Sequence, residues 1–170
     1  MKARMAIVVL TSSLLACGGR THSQEEGCYA LVPVRPQGII RDECQLLADV
    51  TANLGARFIF SGNVVEVDFR FSSPGQGQVF DVSMAGQFDF GEETFSADGT
   101  ATNILLPIGG QTCQLQLVDV HLDAATNMTD PARFTGTMRI QTSTPRPETC
   151  ICQAWFDYQA ALSSSQSICP

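Results

Sequence analysis

From Phe58 onward the chain alternates apolar and polar side chains with a period of two. Val65, Val67, Phe69 and Phe71 are interleaved with Glu66, Asp68 and Arg70, and Phe80, Val82, Met84, Phe88 and Phe90 with Asp81, Ser83, Gln87 and Asp89. Successive side chains of a strand point to opposite faces, so this pattern predicts strands with one dry and one wet face. Further strands are expected from Thr94 to about Leu106, over 113–124, over 133–142 and over 150–162, separated by Ser73-Pro74-Gly75, Gly91-Glu92-Glu93, Pro107 to Gly110, Asn127 to Pro131 and the prolines 145 and 147. Phe58 and Phe60 are out of phase with Val65, so a bulge or bend at Ser61-Gly62-Asn63 is expected to correct the register. Tyr29 to Val34 reads as a short strand demoted to an edge by Pro33. Only residues 39–54 offer helical spacing, with Ile40, Cys44, Leu47 and Ala48 on one helix face and Gly55 as a stop.

Strands joined by short turns pair antiparallel, because parallel neighbours need long crossovers. The expected fold is therefore mainly β: an antiparallel meander closing into a small barrel or sandwich, stapled by disulfides, with one short N-terminal helix. Closure removes exposed edges. Glycines 86, 99 and 136 inside strands mark bends that help a sheet curl.

The first residues follow a different rule. Lys2 and Arg4 precede an apolar stretch from Met5 to Leu15, and Ala16 leads into Cys17. A basic start, a short apolar core and a small residue make a secretory signal. The run Leu14-Leu15-Ala16-Cys17 resembles the lipobox of bacterial lipoproteins. The resemblance implies that Cys17 receives a diacylglyceryl group, that the leader is cut between Ala16 and Cys17, and that the new amino group is acylated. Gly18 stands where the family's inner-membrane retention signal has Asp, which implies transfer to the outer membrane of a Gram-negative bacterium. Two or three acyl chains hold a protein on a membrane almost permanently, at ~0.8 kcal/mol per buried CH₂. Three regions follow: signal peptide 1–16, lipidated cysteine and tether 17–27, and a single all-β domain over 28–170. The membrane is then the partner reached through the lipid, with a protein partner in the envelope expected and a small-molecule ligand left open.

Removing residues 1–16 takes both Lys2 and Arg4, leaving 8 basic and 17 acidic side chains, a formal charge of −9. Every remaining cation is an arginine, none clustered, so nothing is available to replace phosphate counterions and nucleic acid is excluded as a partner. Six cysteines remain beside Cys17: Cys28, Cys44, Cys113, Cys150, Cys152 and Cys169. An even number in an exported chain reads as disulfides, with 15 pairings open. Cys150 and Cys152 share a face of a strand and are expected to take different partners. No cofactor is implied. The tether residues 18–27 are polar, and His22 falls among them.

Candidate chemistry is sparse. Asp119, His121 and Asp123, spaced by two, project from one strand face and are the weak candidates for a metal or a metal-dependent hydrolase. The solvent side of a half-buried strand gives the same pattern, since Val118, Val120 and Leu122 fill the other face. No Gly-x-Ser-x-Gly elbow accompanies His121. No catalytic set emerges, so the chain reads as a non-enzymatic envelope protein. All ten phenylalanines lie in expected strands. In a tight sandwich they are core, whereas in a roomy barrel they would line an apolar pocket resembling that of lipocalin-like carriers. Trp155 faces opposite to Phe156 and is available for contact.

Overall fold

The computed structural model describes residues 24–47, 53–73, 78–144 and 148–170. Nine strands follow one another: β1 (Gly27–Pro33), β2 (Ile39–Asp42), β3 (Asn53–Ser61), β4 (Val64–Ser73), β5 (Gln78–Asp89), β6 (Thr94–Ile108), β7 (Gln111–Ala125), β8 (Arg133–Ser143) and β9 (Gln153–Leu162). All pairings are antiparallel, β1 pairs with β3, each strand from β3 to β8 pairs with its successor, and β9 returns to β1. The sheet is therefore a closed eight-stranded barrel. The ninth strand, β2, takes over the edge of β9 where β1 leaves it. Pro33 lies opposite Tyr158 and Ile39 opposite Phe156. The loop between them is pinned, since the Val34 N–H donates to the Asp157 carbonyl and the Asp157 N–H to the Gly38 carbonyl.

Barrel closure explains the alternation. Over 64–72 the odd positions of β4, over 80–88 the even positions of β5, and the odd positions at the start of β6 point inward, and the buried side chains form one cluster. Its centre is aromatic. Phe58 meets Tyr29 and Phe134 edge-on at ring-centroid distances of 5.5 and 5.1 Å, and Phe95 at 5.7 Å. Edge-to-face pairs at such distances contribute beyond the area they bury. Neighbouring backbone and side chains approach closely where Cβ atoms are missing. A Cβ on Gly86 would lie 1.6 Å from the Ser96 carbonyl oxygen, and one on Gly136 would lie 2.1 Å from the Asp123 carbonyl oxygen.

Three sequence expectations are corrected. No α-helix occurs among the described residues. The stretch expected to be helical forms β2 and a turn, with 48–52 outside the described residues. The Asp42 carboxylate accepts the backbone N–H groups of Leu46 and Leu47 at 2.9 and 3.0 Å, offering the chain a local alternative to helix. Cys44 is bonded to Cys152, while Ile40 is exposed. Second, Ser61 to Val64 is a hairpin turn rather than a bulge: Ser61 pairs with Val64 and Phe60 with Val65. Gly62 at φ 62° supplies the positive φ that two-residue hairpins need, and the tight turn by itself puts Phe60 and Val65 on one face. Third, β1 is no edge strand. It pairs on both sides, and Pro33 ends it.

All six described cysteines are bridged, Cys28–Cys169, Cys44–Cys152 and Cys113–Cys150, so Cys150 and Cys152 do take different partners. Cys150 itself sits in a short 3-10 turn ahead of β9. The C-terminal segment crosses the outside of β1, β3 and β4. Cys28–Cys169 fastens it, Arg57 donates to the Pro170 carbonyl at 3.1 Å, and Arg70 donates to the Cys169 carbonyl at 2.6 Å while holding Asp81 with two 2.9 Å bonds. At the other terminus the Glu25 N–H and the Gln24 side chain both donate to the Pro131 carbonyl, and the Glu26 carboxylate accepts the Phe60 N–H. The chain is thus already fixed at Gln24, inside the region expected to act as tether.

The β6–β7 hairpin is longer than the barrel wall. Pairing of β6 with β5 ends at Gly99 opposite Met84, and pairing of β7 with β8 ends at Leu117 opposite Ser143. Beyond that level the two strands pair only with each other as an arm. There the buried positions switch parity in both strands, from Ala97 and Ala101 to Leu106 and Ile108, and from Val118 and Val120 to Cys113 and Leu115. Asn103, at φ 57°, marks the switch. Cys113–Cys150 fastens the arm to the connection that enters β9.

Candidate functional site

The outer wall of β6, β7 and β8 carries the densest set of interacting polar side chains. Two successive glycines with positive φ, Gly109 at 59° and Gly110 at 82°, turn β6 into β7 and set Ile108 opposite Gln111. Counting along that register places Asp98 opposite His121 and Thr100 opposite Asp119. The next pairing places Arg139 of β8 on the other side of His121, and the one after it places Trp155 of β9 beside Arg139.

Both imidazole nitrogens of His121 face carboxylates: Nδ1 lies 2.6 Å from Asp98 Oδ1 and Nε2 lies 3.0 Å from Asp123 Oδ2. A neutral imidazole has one N–H, so both contacts are hydrogen bonds only when the ring is protonated. Partial burial of the ring opposes its charge. The hydrogen bond to Asp98 and the negative charge of Asp123 outweigh burial, and the pKa lies above the ordinary imidazole value. Arg139 turns to Trp155, its guanidinium carbon 4.6 Å from the ring centre. The Trp155 indole N–H is buried without a hydrogen-bond partner in the structure.

Of the three residues singled out from their spacing, all face outward from β7, but only His121 and Asp123 meet. Asp119 instead accepts a 2.8 Å bond from the Thr100 hydroxyl. Among the described residues no group of three His, Cys, Asp or Glu side chains is arranged to hold a metal ion. The partner missed from sequence is Asp98, which comes from the neighbouring strand; the Gly109-Gly110 turn is the signal that fixes its position. Cys17 and His22 lie outside the described residues.

Two depressions flank this wall. A small one of about 360 Å³ is lined by Asp98, Thr100, Asp119, His121, Arg139 and Gln141. A larger open cleft of about 1060 Å³ runs across β5 to β9. Its outward-facing lining includes Gln87, Ser96, Asp123, Thr137 and Asp157, and it also reaches Phe88, Phe90, Phe95 and Tyr158. Asp123 borders the larger cleft while its hydrogen-bond partner His121 borders the smaller one. The Tyr158 hydroxyl donates to the Asp123 carbonyl at 3.3 Å, and burial holds its pKa well above the usual phenol value.

Compared with known proteins, the chain matches no family model, no curated protein and no solved structure.

Proposed function

We propose that this protein is a lipid-anchored module of the bacterial envelope, with a non-enzymatic structural or interaction role. Cys17 carries the acyl chains, and the barrel is the displayed part. The observation that carries the reading is the use of cysteine. The lipobox claims Cys17, and the other six are consumed in three bridges that tie together distant parts of the chain, separated by 141, 108 and 37 residues. Disulfides of this kind persist in oxidising compartments, which an exported chain reaches. Six residues separate Cys17 from Gln24, where the fold takes hold, so the barrel stands at most roughly 25 Å from the acyl chains. The anchor leaves the barrel at the end that carries the β3–β4, β5–β6 and β7–β8 turns, and the disulfide-fastened arm then projects away from the membrane. Fractionation tests the anchor: Cys17→Ser should move the protein from the membrane to the soluble fraction, and retention in the membrane would contradict the reading.

A second reading rests on the larger cleft. Phe88, Phe90, Phe95 and Tyr158 all border it, which favours a small apolar ligand held by a barrel of the lipocalin-like kind. Titration of the purified protein with a fluorescent fatty acid tests it. Saturable binding lost on Phe95→Ser would support a carrier, and no binding would remove it.

A further inference from the structure

We propose that His121 is a proton-operated clamp on the outer wall: protonated, its ring ties Asp98 of β6 to Asp123 of β7, and on losing its proton it lets one of those carboxylates go. The geometry carries this inference. Each ring nitrogen is within hydrogen-bond distance of a different carboxylate oxygen, at 2.6 and 3.0 Å. Neutral imidazole cannot donate to both, so one of the two contacts becomes a lone pair facing an anion and opens.

The charges around the ring all favour the clamped state or stand aside from it. From β6 comes Asp98, and from β7 come Asp119 and Asp123. From β8 the opposing residue is Arg139, the one cation in the row, and its guanidinium is engaged over Trp155. Asp119 is occupied by the Thr100 hydroxyl and leaves the two contacts to Asp98 and Asp123.

Two consequences follow from where the clamp sits. Asp98 and His121 lie one residue pair from Gly99, where β5 parts from β6 and the arm begins, so the clamp fastens the root of the arm. Asp123 also lines the larger cleft, so releasing it adds a free carboxylate there. Raising the pH thus opens one of the two contacts: the Asp98 contact at the arm root or the Asp123 contact at the cleft. Stability follows the same sign: the folded-state pKa lies above the unfolded value, so the clamp contributes fully below about pH 6.5 and is lost as pH rises through the folded pKa.

The chain has only two histidines, His22 and His121, which makes the test direct. Long-range ¹H–¹⁵N NMR of the full chain, with His121→Gln to assign the signals, should give a His121 ring protonated on both nitrogens at pH 6. Its titration midpoint should lie above the ordinary imidazole value of about 6.5. Asp98→Asn and Asp123→Asn should each move the midpoint down towards the ordinary imidazole value. The wild-type thermal midpoint should fall across the His121 titration, and that fall should be absent in His121→Gln. A His121 midpoint at or below the ordinary imidazole value of about 6.5, or one that neither Asn variant moves, would overturn the clamp.

Discussion

Truncating Phe58 to alanine probes whether the barrel is filled. Phe58 is fully buried and contacts Tyr29, Phe95 and Phe134 edge-on, with Phe60 stacked at 6.4 Å. In a close-packed interior the loss combines the transfer free energy of the ring with the cavity left behind, and Phe→Ala costs about 3–5 kcal/mol. Three edge-on partners lose their pairing as well, each contact contributing roughly 0.5–1.5 kcal/mol. The expected loss therefore sits in the upper part of the range, about 4–5 kcal/mol. That is a large fraction of the roughly 5–15 kcal/mol that holds an ordinary domain together. Guanidinium denaturation of wild type and variant, with disulfides intact, measures it, and the thermal midpoint should fall by roughly 8–20 °C. The variant should also gain affinity for a small apolar molecule such as benzene, as an apolar engineered cavity does. A loss under about 1 kcal/mol would refute the reasoning. It would mean that Phe58 already borders empty space, and it would turn the balance towards a ligand inside the barrel.

Two more substitutions follow from the packing. Gly136→Ala places a methyl group 2.1 Å from the Asp123 carbonyl oxygen and 2.4 Å from the Tyr158 hydroxyl, so β7, β8 or Tyr158 must move. Overpacking of this kind costs about 1–3 kcal/mol, and an unchanged melting temperature would mean that the wall is not packed as closely there as described. Replacing Cys113 and Cys150 together with serine opens a loop of 37 residues and should lower stability by about 3–4 kcal/mol by the chain-entropy estimate. Amide exchange should then rise first in the arm, Thr100 to Gln116; uniform exchange across all strands would show that the arm is not an independently opening unit.

The barrel was legible because its strands obey one simple rule. Over 64–72 of β4 and 80–89 of β5 no inward position is polar and nearly every outward one is, so period two survives single-residue inspection. Closure was harder to read. Pro33 marks an edge in an open sheet, yet here it merely ends β1 where β2 takes over. The helical spacing of Ile40, Cys44 and Leu47 misled because only Cys44 and Leu47 are buried, by a turn with no fixed period, while Ile40 is exposed in β2. Asp42 and the Cys44 bridge decide that segment, and neither acts through periodicity. Between Phe60 and Val65 the phase change signalled a hairpin, since a two-residue turn joins an even position on one strand to an odd one on the next. The parity switch does leave a trace in β7, where the apolar positions pass from Cys113, Leu115 and Leu117 to Val118, Val120 and Leu122. The His121 site was half legible. Asp123 lies two residues away on the same strand, whereas Asp98 is a neighbour only through the β6–β7 register.

The most direct test of the proposed identity as an anchored, stapled envelope module is the intact mass of the protein extracted from membranes, taken before and after reduction with alkylation. The account predicts a chain that begins at Cys17 and carries acyl groups, with six thiols released only by reductant. A lipid-free mass, or thiols that alkylate without reduction, would contradict it.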